Sequence, residues 1–340
     1  MTEAIGRQVD DDFPQGMNSR ARELTLADLD EEQILREVLS RPARETQMLV
    51  GPGDDTALLA VPSGRALVTT DAMVLGRDWL DEWSSAADVG AKCVAQNLAD
   101  IAAMGGVTTG VVVTLAADVA TPLAWARDLS QAIAQACAAY DVAVLGGDLS
   151  SAPPGVRMVS ITAIGELEQD GRAAGWPVLR SGARTGDVVA VSDALGRSGA
   201  GLLLLQRDAA AKGPEVGYHL RPQPVYARGP EARAAGATSM LDISDGLVRD
   251  AGRIAIASGV ALDLDSEALS RDVAALTPAV GDAALDCVLN GGEEHTLLAT
   301  FPANTSLPSN WRQIGEVSDG AGVTLDGELL VAGGWDHFAN

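Results

Sequence analysis

Apolar positions along the chain change spacing several times, and each change predicts an element. Over Thr25–Ser40 the residues Leu26, Leu29, Ile34, Leu35 and Leu39 recur at helical spacing, with Thr25 placed as an N-cap. Met48–Val50 leads into the turn-like Gly51-Pro52-Gly53-Asp54-Asp55. Ala57–Val61 and Ala66–Thr70 follow as strands joined by Pro62-Ser63-Gly64. Ser84 or Ser85 opens a helix to Met104, with Val94, Leu98 and Ile101 on one face and Gly105-Gly106 as the stop. A strand over Thr109–Leu115, a helix over Leu123–Tyr140, a strand over Val142–Leu145 ending at Gly146-Gly147-Asp148, and a strand over Val156–Glu166 complete a β-α-β-α-β succession. Such a succession packs helices on a sheet.

Asp170–Pro177 contains Gly and Pro and reads as a linker. Asp187–Val191 restarts as a strand and meets Gly196-Arg197-Ser198-Gly199 before a helix from Ala200. The proline-rich Arg221-Pro222-Gln223-Pro224 precedes a helix over Val225–Ala235. Met240–Ser244 reads as a strand, followed by Asp245-Gly246 and a helix to Ser258. Strands over Ala261–Leu264, Thr296–Phe301 and Arg312–Val317 finish a second α/β half, and no solenoid repeat is visible. The expectation is an α/β (α+β) chain of two α/β domains, 24–169 and 170–340, behind a mobile acidic tail over 1–23.

Composition narrows the chemistry. A hydrophobic content of 47% suits buried cores, and an aromatic content of 4% makes them cores of small aliphatics. Forty-seven acidic against 24 basic residues give a net charge of −23. That argues against a nucleic-acid or anionic-membrane surface, which needs a basic footprint. It leaves room for a phosphorylated ligand, because a metal ion can stand between two anions. Cys93, Cys137 and Cys287 lie far apart and form no CxxC, so a zinc ribbon or disulfide framework is not expected and a reducing cytoplasm fits. Asp10, Asp11 and Asp12 stand where a signal peptide would need an apolar core, and glycines interrupt the uncharged run Ile101–Ala117, so neither a signal peptide nor a membrane span is expected. Neither lysine, Lys92 or Lys212, follows a GxxxxGK[ST] loop; His219, His295 and His337 are scattered; Ser198 lies outside any GxSxG elbow.

The remaining reactive groups are carboxylates. Asp54, Asp55, Asp71, Asp148, Asp242 and Asp245 each fall where a predicted strand stops and a loop begins, the place where open α/β sheets collect ligand groups. Turn chemistry alone is the competing explanation, since Asp and Gly favour tight loops. Asp100 stands near a helix C-terminus, where a carboxylate opposes the helix dipole by about 0.3–1 kcal/mol, so either it is solvated or a cation compensates it. Asn97 shares its face and could add a carbonyl oxygen. Oxygen-only groups of this kind suit Mg²⁺, which takes one or two carboxylates per ion together with substrate phosphates, so five or six separated aspartates could hold several ions. Gly291-Gly292-Glu293-Glu294 is an acidic turn or a ligand-facing carboxylate for a cationic substrate; Arg180 is a surface residue or a phosphate fork; Gly196–Gly201 suits close helix packing better than a phosphate seat.

Taken in chain order, these segments resemble one family. They are Gly53-Asp54-Asp55-Thr56-Ala57-Leu58, Thr69-Thr70-Asp71, Gln96-Asn97-Leu98-Ala99-Asp100-Ile101-Ala102-Ala103-Met104-Gly105, Gly146-Gly147-Asp148, Arg180-Ser181-Gly182-Ala183, Asp242-Ile243-Ser244-Asp245-Gly246-Leu247, Gly291-Gly292-Glu293 and Trp335-Asp336-His337-Phe338. The family is that of the thiamine-monophosphate kinases, within the aminoimidazole ribonucleotide synthetase superfamily. The resemblance implies two α/β domains, a homodimer joined through the N-terminal halves, and transfer of a phosphoryl group from ATP to thiamine monophosphate. It implies Mg²⁺ ligands at Asp55, Thr69, Thr70, Asp71, Asp100, Asp148, Asp242 and Asp245, with Asp71, Asp148 and Asp245 catalytic. It implies ATP contacts at Gly147, Asp148, Arg180 and Ser244, and substrate contacts at Asp78, Glu293 and Trp335. A carboxylate and an aromatic face suit the planar, cationic thiazolium.

Three departures from the family pattern stand out. Gly291-Gly292-Glu293-Glu294-His295-Thr296-Leu297 replaces the frequent Gly-Gly-Glu-Asp-Tyr-Glu-Leu, Gly76-Arg77-Asp78-Trp79 replaces a Gly-x-His-Phe segment, and the linker is longer around Ala174-Gly175-Trp176. Another superfamily activity, such as an ATP-dependent cyclo-ligase, is the alternative enzyme reading. Selenophosphate synthesis fits poorly, because it normally uses a reactive N-terminal cysteine and the first cysteine here is Cys93. A non-catalytic Mg²⁺- or nucleotide-binding protein is the alternative outside enzymes.

Overall fold

The computed structural model of the chain describes residues 24–29, 33–34, 37, 48–50, 58–168, 176–331 and 333–334. The acidic tail, Asp54, Asp55, Trp335, half of the expected helix over Thr25–Ser40 and most of the expected linker over Asp170–Pro177 lie outside these residues; the helix expected from Thr25 is corrected, for Leu26–Asp28 form a short 3-10 turn that Leu29 leaves in extended backbone. A short antiparallel pair, β1 (Met48–Val50) and β2 (Leu58–Leu59), comes first. The first half continues with β3 (Leu67–Val74), α1 (Ala86–Ala103), β4 (Val107–Asp118), α2 (Leu123–Ala138), β5 (Ala143–Ala152) and β6 (Arg157–Glu166). Its four-stranded sheet has the spatial order β3-β6-β4-β5, with β4 and β5 parallel and the other neighbours antiparallel.

Ser85 sets the start of α1. Its hydroxyl accepts from the Asp88 N–H, and the Asp88 carboxylate accepts from the Ser85 N–H at 2.9 Å. Gly105, at φ +77°, lets the chain leave the helix. The apolar face of α1, with Val89, Cys93, Val94, Leu98 and Ile101, packs with Val111, Val159, Ile161 and Ala163 of the sheet. Gly90 admits α2 alongside, for a Cβ there would stand 2.8 Å from the Leu129 carbonyl.

The second half runs β7 (Asp187–Val191), α3 (Arg197–Arg207), α4 (Pro214–Leu220), α5 (Arg228–Ala235), β8 (Ser239–Asp242), α6 (Leu247–Ser258), β9 (Ala261–Leu264), α7 (Ser266–Val280), α8 (Ala284–Asn290), β10 (Leu297–Pro302), β11 (Arg312–Ser318), β12 (Gly322–Leu325) and β13 (Glu328–Leu329). Its seven-stranded sheet has the order β13-β12-β9-β11-β7-β10-β8. One apolar cluster joins Leu241, Leu262 and Leu298 of the strands to Leu247 and Ile254 of α6 and Leu269 and Leu276 of α7. A second joins Met240, Ala299, Phe301 and Trp311 to Ala232 of α5 and to Ala102 and Ala103 at the end of α1. So α1 seals the first sheet and also enters the second half. Among the described residues no helix is long and apolar enough to cross a membrane, and Cys93, Cys137 and Cys287 are free thiols in buried positions.

Two expected strand ends are corrected. Asp71 and Asp148 are not at strand ends: β3 runs on to Val74 and β5 on to Ala152. Gly146 and Gly147 do not stop β5. The parallel register shifts beside them, between Val111 and Val112, and a Cβ on Gly147 would stand 1.9 Å from the Val113 carbonyl. These glycines serve a bulge and a close backbone approach.

Candidate active site

The alternation of β3 splits its Thr69-Thr70-Asp71 segment between two faces. Thr69 and Asp71 face α1. The Thr69 hydroxyl donates to Asp100 Oδ2 at 2.6 Å, and the Asp71 N–H donates to Asn97 Oδ1 at 3.2 Å. Asn97 is fully buried and donates from Nδ2 to the Cys93 carbonyl, so its oxygen is aimed at β3. Thr70 faces the other way, where the Thr162 hydroxyl donates to it at 3.1 Å.

The second half brings its acids to the same place. Asp242 ends β8, nearly buried, and lies 3.0 Å from His295 Nδ1. Asp245 follows in the turn before α6. Asp250 on α6 is wholly buried and accepts the N–H groups of both Ser244 and Asp245 at 2.9 Å. Arg253, one turn later, binds Asp245 and Asp250 together. The opposing loop locks on: the Glu293 N–H donates to the Ser244 carbonyl at 2.7 Å and the His295 N–H to the Ile243 carbonyl at 2.8 Å. Glu293 and His295 take left-handed φ values of +55° and +56° to do so.

These carboxylates repel each other. Burial, then Asp242 and Asp71, push the Asp100 carboxyl up to about 7. Burial, then Asp242, raise Asp71, which lies within hydrogen-bond reach of Asp100. Burial works to lower the His295 imidazole, but its hydrogen bond to Asp242 wins and holds it above the ordinary value. The arrangement therefore presents an oxygen-rich, negatively charged wall shared by the two halves. Its donors are those a hard cation takes, and a cation would relieve the repulsion that the structure shows. Among the described residues no three acidic, histidine or cysteine side chains converge closely enough to hold an ion unaided.

The loop after α8 provides a second set of contacts. Lys92 on α1, nearly buried, reaches Glu293 Oε2 at 2.7 Å across the two halves. Burial works to raise the Glu293 carboxyl, but Lys92 and then His219 hold it below the usual range. His219 lies 3.5 Å from the same oxygen and 3.1 Å from the Ser198 hydroxyl. Burial, then Lys92, lower it to about 4, so it is neutral at pH 7. Glu294 is wholly buried, and its Oε2 accepts the Ser198 N–H at 3.0 Å. The glycine-rich entry to α3 is thus filled by a carboxylate of this chain, in keeping with a packing role for Gly196–Gly201.

Several expected residues are not brought to this wall. Gly147 and Asp148 lie on β5, the edge strand opposite β3, about 14 Å away across β6 and β4. Asp148 is exposed and accepts the Ser150 hydroxyl at 2.9 Å. Arg180 is exposed, in a loop that Ser258 anchors at the C-terminal end of α6, whereas Asp245 stands at the N-terminal end. Asp78 accepts the Val74 N–H at 2.7 Å and holds the turn after β3. Asp55 and Trp335 lie outside the described residues. Lys92, His219, Asp250 and Arg253 are contributors that residue patterns alone did not single out. Lys92 carried a signal nonetheless, a cation between Ala91 and Cys93-Val94 on a helix face that is otherwise apolar.

The class of protein follows from fold and sequence together. The family models for AIR synthase related proteins match both halves, the N-terminal domain over residues 53–167 and the C-terminal domain over 184–328. A relative from Mycobacterium tuberculosis, a thiamine-monophosphate kinase, is 43% identical over 92% of this chain and 93% of its own length. The thiamine-monophosphate kinase of Corynebacterium glutamicum is 36% identical over 92% of this chain and 95% of its own. The solved structure described as AaThiL complexed with AMPPCP and TMP superposes with a TM-score of 0.72 at 33% identity, covering 84% of this chain and 91% of that one. Hydrogenase maturation protein HypE shares the fold alone, with a TM-score of 0.63 at 16% identity. The chain belongs to the thiamine-monophosphate kinase family.

Proposed function

We propose that this chain transfers the terminal phosphoryl group of ATP to thiamine monophosphate, giving ADP and thiamine diphosphate. The observation that carries this reading is the acidic wall built from Asp71 and Asp100 of one half and Asp242 and Asp245 of the other, in a chain 43% identical to a kinase of that name. The acceptor is itself a phosphate, ionised at neutral pH, so no strong general base is required, and the work is positioning and charge neutralisation. Asp71, Asp100, Asp242 and Asp245 would hold Mg²⁺ together with the substrate phosphates; Thr69, hydrogen-bonded to Asp100, and Asp55 are further candidate ligands. Bound there, Mg²⁺ supplies the positive charge that lets two phosphate groups approach.

The chain's own groups set the stage. Asn97 fixes the backbone of Asp71, His295 orients Asp242, and Asp250 with Arg253 fixes the turn that carries Ser244 and Asp245. Ser244 is the ATP-contact candidate beside the wall. Glu293 stays ionised through Lys92 and keeps about a third of its side chain accessible (33%), as an anionic partner for a thiazolium requires. A homodimer through the open face of the first sheet is supported by the exposure of Val68 and Val112 there. Thr70, Gly147 and Asp148 would then act at or beside the seam between copies. Three buried free thiols fit a cytoplasmic setting.

The test is a chromatographic assay for thiamine diphosphate with protein, ATP, Mg²⁺ and thiamine monophosphate, against an EDTA control. Metal-dependent product is expected, with turnover reduced about a hundredfold or more in Asp71→Asn. No product from folded protein that binds Mg-ATP overturns the thiamine reading.

A further inference from the structure

A polar cavity, of about 230 Å³, opens at the end of β7. Its wall combines Ser192, Asp193, Arg228, Arg271, Asn310 and Arg312. Its Arg312 stands apart from the acidic wall, for β11 is three strands from Asp242 on β8, about 14 Å along the sheet, while Ser192 at the end of β7 is two strands away. Three guanidinium groups in one small cavity are unexpected on a chain of net charge −23.

The cations are incompletely satisfied. Arg312 donates to the Ala268 carbonyl at 3.1 Å and pairs with Asp272, which faces it from α7. Arg228 donates to Glu231 at 2.7 Å through one terminal nitrogen, while its Nε is buried with no hydrogen-bond partner among the described residues. Arg271 makes no hydrogen bond or ion pair among the described residues. Its charge is felt by Arg312, whose guanidinium burial and then Arg271 hold below its ordinary range against the pull of Asp272. The one carboxylate in the wall, Asp193, gives one oxygen to the Ala194 N–H at 2.7 Å and offers Arg312 a partial counter-charge, leaving Arg228 and Arg271 without one there. A buried guanidinium N–H without an acceptor is costly, and Arg228 Nε is such a donor. Planar forks that converge suit a tetrahedral dianion, which offers several oxygens at once.

We propose that the Arg228–Arg271–Arg312 cavity is a binding site for a phosphate-type oxyanion, separate from the kinase site. Its volume admits one phosphate group with a few waters. The ligand is either free phosphate or the phosphoryl head of a small ester, and the two are separable by experiment.

The test uses the full chain in EDTA, so that no metal-bound anion forms at the acidic wall. Inorganic phosphate is titrated by calorimetry in one arm and glycerol phosphate in the other. Saturable binding in either arm is expected, weakened about tenfold or more in Arg271→Gln and in Arg228→Gln and unchanged in Lys212→Gln. Arg271 is exposed, so its variant keeps the wild-type melting temperature in phosphate-free buffer. Binding of phosphate but not of the ester assigns the cavity to the free ion; binding of both assigns it to the phosphoryl head. Absence of saturable binding in both arms up to about 20 mM overturns the proposal, as does binding that neither arginine variant weakens.

Discussion

Lys92 shows how much one residue can hold. Its ammonium is nearly buried and joins two halves of the molecule through Glu293 at 2.7 Å. Truncating it leaves a carboxylate facing His219 and the acidic wall without its cation. Lys92→Met is expected to destabilise the fold by about 1–3 kcal/mol in a denaturant titration, with Lys92→Arg recovering part of the loss. Glu294 makes a pH prediction. Burial, against the Ser198 N–H and Arg197, raises its carboxyl to about 7. The folded chain thus keeps a proton that the unfolded chain releases above its ordinary 4.5, so this group's contribution to stability falls as pH rises from about 4.5 to about 7. Glu294→Gln removes that dependence. The melting temperature of the variant relative to wild type is expected to climb between about pH 5 and pH 8, and a constant difference would refute it.

At the scale of elements, much was legible and the failures have identifiable causes. The bounds of helix α1 are legible because Ser85 caps it and Gly105 releases it, both local signals. The length of β3 and β5 is not, because an aspartate or a Gly-Gly pair reads as a turn until neighbouring strands impose pairing. That tertiary fact also decides which acids meet: one residue of parity puts Asp71 toward α1 and Thr70 away from it. Helix α7 leaves little trace in the sequence, since its buried Leu269, Leu276 and Val280 are sparse and Pro278 lies inside it. Helix α5 offers a direct test of packing. A Cβ on Gly229 would stand 1.9 Å from the Ala102 carbonyl at the end of α1. Gly229→Ala is expected to lower the melting temperature by several degrees, about 2–4 °C per kcal/mol for a chain of this kind, and to speed proteolysis between the halves.

For the whole molecule, the open face of the first sheet is where a second copy would sit. Val68 is 66% exposed there, beside Thr70 and within two strands of Val112. Val68→Glu is expected to shift the protein from dimer to monomer in light scattering at micromolar concentration, with the secondary structure retained. The acids of the site are legible in the sequence as types, but their assembly is not. Asp71 and Asp100 come from one half and Asp242 and Asp245 from the other, and the packing of Ala102 and Ala103 against Met240 and Phe301, together with the Lys92–Glu293 pair, sets them face to face. Each half alone carries two of the four acids. A chain cut between residues 168 and 176 would therefore be a two-piece enzyme whose pieces are silent apart. Their reunion works against like charges, so divalent cation would tighten the reassociation of the pieces and monovalent salt would do so far less.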